Sequence, residues 1–113
     1  MLKLGPWGQL GVMSCAAAFE VGGDILIRKG LRGSGIAMIA LGFVVLGSYG
    51  IVVNLLELDF SRLLGAYIGI FALVSVAAGR LLFLDQVANA TWLGLALVVV
   101  GSLVIQFGTA IWK

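Results

Sequence analysis

Glu20 stands in an otherwise apolar run, and Asp24 follows four residues later. If the run is helical, Glu20 lies ~20 Å along the axis from Trp7 and about 12 Å from Arg28, at 1.5 Å per residue. That depth is well inside a bilayer. An ionised carboxylate there costs several kcal/mol unless it is paired, wetted or protonated. Such a group can exchange a proton for a cation, because either one neutralises it. The structural alternative is a Glu that merely bonds across helices and holds them together. Asp24 shares the Glu20 face of the helix by the i, i+4 rule. Arg80 sits four residues before the end of a later apolar run, as Asp24 sits four before Arg28. Both ends fall on one side of the membrane, so an Asp24–Arg80 ion pair is expected, unless each side chain snorkels separately to the interface. Tyr67 lies one turn into that later run. Its ring is either interfacial or turned toward a cation, which an aromatic face attracts. Glu20, Asp24 and Tyr67 are thus the candidate proton- and cation-binding residues.

The elements that must position them follow from composition. Of 113 residues, 62% are hydrophobic and 11% charged, far fewer charges than a soluble domain carries. A chain this small cannot cover its surface with so few polar groups, and lipid is the solvent that suits it. Four apolar runs, about 7–28, 35–56, 63–84 and 91–112, each suffice for one crossing. They are continuous rather than alternating, which favours helices over barrel strands. The expected fold is therefore a single all-α domain, 1–113, of four transmembrane helices. Short connections make successive helices antiparallel neighbours. Trp7, Trp92 and Trp112 fall at run ends, where an amphipathic ring is favoured.

Several function classes lose support. The net charge of +2 is too small to suggest nucleic acid, and the chain has no histidine. No metal-ligand cluster, cofactor motif or nucleophile–base arrangement appears, so neither a cofactor nor a hydrolytic enzyme is implied. Cys15, the lone cysteine, excludes an intrachain disulfide. It is expected to be a small buried hydrophobe. A lipoprotein signal is rejected, because Pro6, Gly8 and Gln9 interrupt the stretch before it.

With four crossings, one face of the membrane carries Lys3, Arg62 and Lys113. The other carries Arg28, Lys29 and Arg32, with Arg80 nearby. The positive-inside rule gives almost no preference between these sets. Either the first-loop cluster is cytoplasmic, or the chain inserts both ways and pairs with an inverted copy. Glycine is abundant, 17 residues in all. Gly22 and Gly23 follow Glu20 closely, and Gly65 and Gly69 make a small-xxx-small pair. Gly94, Gly101 and Gly108 recur every seven residues and so line one stripe of the fourth helix. That stripe is the expected dimer contact, with packing inside the protomer as the alternative.

Taken together, these segments resemble the small multidrug resistance family and its YnfA-like relatives in the drug/metabolite transporter superfamily. Ala18-Phe19-Glu20-Val21-Gly22-Gly23 is similar to the family's Phe-Glu segment, and the double glycine with Leu31-Arg32 looks most like the YnfA branch. Gly65-Ala66-Tyr67 resembles the alanine-tyrosine pair of its third helix. GLALVVVGS at 94–102 resembles its dimerisation motif, with Val98 and Ser102 as departures. Ile70 and Phe71 stand where a tryptophan is usual, a departure that leaves open a more hydrophilic cation or no export at all. The resemblance implies an antiparallel homodimer in a prokaryotic plasma membrane, with both Glu20 carboxylates in one site. The expected activity is proton-coupled export of small or drug-like organic cations. The alternatives are a subunit of a lipid or lipid-precursor flippase and a non-transporting assembly subunit.

Overall fold

Pro6 opens the first helix, where its missing N–H has no intrahelical acceptor to lose. From there the chain forms α1 (Pro6–Lys29), α2 (Ile36–Asn54), α3 (Phe60–Leu82) and α4 (Asn89–Phe107). The computed structural model describes residues 3–112, apart from the side chain of Ala110. Lys113, counted above among the charges of one face, lies outside the described residues. Each helix is long and apolar enough to cross a membrane. The 19 residues of α2 rise about 28 Å, close to the ~30 Å of a hydrocarbon core. The molecule is an all-α protein of four membrane-spanning helices.

Two glycines turn the chain from α1 into α2. Gly33 has φ 129° and Gly35 has φ 96°, values that a residue with a Cβ rarely adopts. α2 then returns along α1 at close range. A Cβ at Gly23 would lie 3.0 Å from the Gly42 carbonyl oxygen, and one at Gly42 would lie 2.8 Å from that of Gly23. Backbone meets backbone there, as small residues permit in lipid. Gly22 faces open space instead, so only one of the two adjacent glycines serves a contact.

α3 and α4 form a second hairpin by the same means. Gly65 lies under Ile105, whose Cδ1 would be 2.7 Å from an added Cβ, and Gly69 lies under Ser102. Ser102 also donates a hydrogen bond to the Gly65 carbonyl at 3.0 Å. The small-xxx-small pair of α3 therefore seats α4 within the protomer.

The two hairpins join through α1 and α3. Met13, Ala16 and Ala17 of α1 are buried with Leu63, Ala66 and Tyr67 of α3, and Val53 and Leu56 close the cluster from the end of α2. Alanines on both sides shorten the distance between the helices and bring the Glu20 and Tyr67 stretches together. A polar clasp fastens the end where the chain begins. Gln106, 1% exposed, donates to the Pro6 carbonyl at 3.1 Å and to Gln9 Oε1 at 2.8 Å. Gln9 in turn donates to the Leu4 carbonyl at 2.9 Å.

Two expectations need correction. The fourth helix ends at Phe107 rather than near 112, because the chain tightens into a short turn at Gly108–Ala110. Cys15 is exposed, not buried: it lies on the face of α1 turned away from the other helices.

Candidate functional site

Tyr67 donates its hydroxyl proton to Glu20 Oε1 at 2.7 Å, joining α3 to α1 inside the membrane-spanning part of the bundle. Tyr67 is 4% exposed, while Glu20 is half-buried. Two further rings pack near the tyrosine. Tyr49 of α2 stacks on it at 5.4 Å between centroids, and Phe71 of α3 lies at 6.2 Å. One carboxylate oxygen is thus fixed, while Oε2 has no hydrogen-bond partner among the described residues. A carboxylate held by one oxygen, with the other free beside aromatic rings, can take up a proton or a cation without losing its anchor.

Asp24 is exposed and lies one turn beyond Glu20. It lines a cavity of about 260 Å³ between α1 and the end of α3, together with Arg28, Ser75, Phe83 and Asp85. The Arg28 guanidinium sits 5.1 Å from the Phe83 ring centroid, a cation–π contact across the cavity mouth.

The expected Asp24–Arg80 pair is not formed. Among the described residues the one ion pair is Lys3–Glu57, at 3.8 Å. Gly79 faces the Asp24 cavity, whereas Arg80, the next residue, lines an adjoining cavity with Leu81, Leu84 and Gln86, and Asp85 borders both. One residue on a helix is about 100° of rotation. The two charges match in depth along the membrane but not in direction around α3.

The glycine stripe of α4 divides. A Cβ at Gly94 or Gly101 would meet nothing within 4 Å, and one at Gly108 would meet only Val104 of the preceding turn. These positions do not pack inside the protomer. α4 instead buries Ser102 and Gln106.

Three contributors were missed in the sequence. Tyr49 supplies a stacked ring from α2, a helix without any charge to draw attention to it. Asp85 shares a cavity with Asp24 although it follows α3 in a connecting segment. Gln106 is the hub of the polar clasp. A glutamine in a stretch as apolar as 92–107 is costly unless satisfied, and that cost was the available signal.

Residues 9–110 match a family model described as "Uncharacterised BCR, YnfA/UPF0060 family". The chain belongs to the YnfA/UPF0060 family. A UPF0060 membrane protein of Nocardia farcinica is 37% identical over 103 residues, covering 88% of this chain and 91% of the relative. One from Synechocystis is 32% identical over 93 residues, 81% of this chain and 86% of the relative. One from Streptomyces avermitilis is 42% identical over 66 residues, 57% of this chain and 59% of the relative. No solved structure matches. With bacterial family relatives named membrane proteins and four spanning helices of its own, the chain is a multi-pass protein of the bacterial plasma membrane.

Proposed function

We propose that this YnfA/UPF0060 protein is a proton-coupled exporter of small organic cations, working as an antiparallel homodimer. The observation that carries the reading is the Tyr67–Glu20 hydrogen bond at 2.7 Å inside the membrane-spanning region. It leaves a carboxylate anchored at one oxygen and open at the other. Intramembrane acids are rare and mark ion or proton pathways. A proton and a cation compete for the open oxygen, so each expels the other, and that competition is the coupling. Tyr67, Tyr49 and Phe71 offer ring faces to a cation. Asp24, in the cavity one turn away, gives a second carboxylate along the route to the aqueous face.

Two further considerations support the reading. A lone four-helix bundle has no inverted repeat of the kind alternating access commonly uses, and an inverted second copy supplies one. The unpacked Gly94–Gly101 stripe offers that copy a surface of small residues. The likeness of the Phe19-Glu20 and Ala66-Tyr67 segments to small multidrug resistance proteins points the same way.

The test is proton release on binding. Purified protein in weakly buffered detergent solution is titrated with a panel of organic cations while the pH is followed. An effective cation acidifies the solution with the parent. Its affinity falls as the starting pH is lowered. The proton released per bound cation falls away as the starting pH is raised, because an already ionised carboxylate has none to give. Absence of proton release with every cation that binds would contradict the exchange.

A further inference from the structure

At the end of the bundle opposite the Asp24 cavity, the first turn of α3 and the last turns of α4 border an open groove of about 440 Å³. Asp59, Ser61, Arg62, Val104, Thr109 and Trp112 are among its lining residues. The space is graded. Charges and hydroxyls stand at the helix ends, Val104 faces the hydrocarbon, and Trp112, 85% exposed, marks the interface. That gradient matches a phospholipid at headgroup depth.

The charges in this space are unanswered. Arg62 donates one Nη2 bond to the Gln106 carbonyl at 2.9 Å. That contact satisfies an end carbonyl of α4 and is explained by the negative end of the helix dipole. It does not neutralise the guanidinium, and the Arg62 Nε is buried without a partner. Asp59 occupies the N-cap position of α3 yet makes no side-chain cap bond. Neither residue takes part in an ion pair among the described residues, where only Lys3–Glu57 is formed. Two opposite charges, three residues apart, therefore line one groove without meeting. Residues so spaced at a helix start lie about 5–6 Å apart at Cβ.

We propose that this groove binds the headgroup of a phospholipid carrying a primary ammonium, with the phosphate on Arg62 and the ammonium on Asp59. The Ser61 and Thr109 hydroxyls are the further donors for phosphate oxygens, and the first turn of α3 adds unpaired backbone N–H groups. A purely anionic headgroup satisfies Arg62 but leaves Asp59 facing like charge. A quaternary ammonium has no N–H to donate to the Asp59 carboxylate. The zwitterion with a primary ammonium is the headgroup that answers both residues. This inference does not depend on Glu20 or on transport.

The experiment is native mass spectrometry of the delipidated full chain in detergent. It is titrated in parallel with phosphatidylethanolamine, phosphatidylcholine and phosphatidylglycerol of identical acyl chains. The parent retains phosphatidylethanolamine in preference to the other two, by up to about 5-fold, the ratio an exposed charge pair supports. Asp59→Asn, at an exposed loop position, leaves the bundle folded and brings phosphatidylethanolamine down to phosphatidylcholine. Arg62→Lys keeps the charge and retains the preference at reduced occupancy. Equal retention of the three lipids by the parent overturns the proposal, as does an unchanged preference in Asp59→Asn. Displacement of the lipid by equimolar glycerophosphoethanolamine also overturns it, because the acyl chains would then contribute nothing.

Discussion

Tyr67 holds Glu20 through one oxygen, and the chemistry of the site turns on that bond. A hydrogen bond to a charged group contributes about 1.5–3 kcal/mol, so its loss is felt by the fold as well as by the carboxylate. Tyr67→Phe keeps the ring stack with Tyr49 and Phe71 but removes the hydroxyl. The expected result is a folded protein with a melting temperature lowered by several degrees in detergent and a displaced pH dependence of cation binding, read by isothermal titration across pH. The identity of Glu20 as the unusual residue was legible in the sequence, because a carboxylate deep in an apolar run has few inexpensive explanations. Its partner was half legible: Tyr67 was recognised by type, but its direction was not. The Asp24–Arg80 pairing shows the same limit. Sequence gives depth along a helix, while direction around it depends on which faces pack. Because Asp24 and Arg80 form no ion pair and line adjoining rather than common cavities, Asp24→Asn and Arg80→Gln should act additively on stability, within about 0.3–0.5 kcal/mol. A double-mutant cycle on detergent unfolding midpoints checks this, and a larger coupling would mean that the two charges do meet.

Between helices, small residues set the distances and glutamines set the register. Gly23 against Gly42 and Gly69 against Ser102 leave no room for a side chain. Gly42→Leu is therefore expected to separate α1 from α2 and lower the melting temperature of the protomer. Gly101 meets nothing inside the protomer. Gly101→Leu should leave protomer stability near the parent value and reduce the dimer fraction, measured by crosslinking in detergent. An unchanged dimer fraction would place the contact between copies elsewhere. The spans themselves were legible because apolar length is a direct requirement of the bilayer. The clasp was not, because Gln9 and Gln106 lie 97 residues apart and neither signals the other. Gln106→Leu leaves the Pro6 carbonyl and Gln9 Oε1 without their donor. A loss of roughly 1–3 kcal/mol is expected, the cost of stranded buried polar groups offset in part by removal of the Gln106 Oε1, itself buried without a partner.

At the scale of the molecule, the bundle is two helical hairpins joined by the α1–α3 layer, with Glu20 and Tyr67 in that layer. One end carries the Asp24–Asp85 cavity and the other the Asp59–Arg62 groove. The near-equal sharing of lysine and arginine between the two ends motivates insertion in both orientations. A cysteine introduced at Ser34 in a Cys15→Ser background reports this in intact cells. Partial labelling by an impermeant maleimide is expected, and labelling of all copies or none would exclude antiparallel pairing of identical chains. The central claim is that Glu20 exchanges protons for cations, and cargo-driven proton flux tests it most directly. Parent, Glu20→Gln and Glu20→Asp proteins are reconstituted in liposomes and compared across pH with the same cation gradient. The parent should move protons against the cation. Glu20→Asp keeps the charge but withdraws it by one methylene, so it should transport with a shifted pH optimum. Glu20→Gln keeps the shape, cannot exchange a proton and should show no coupled flux while remaining folded. Parent-like flux from the Gln variant would contradict the account.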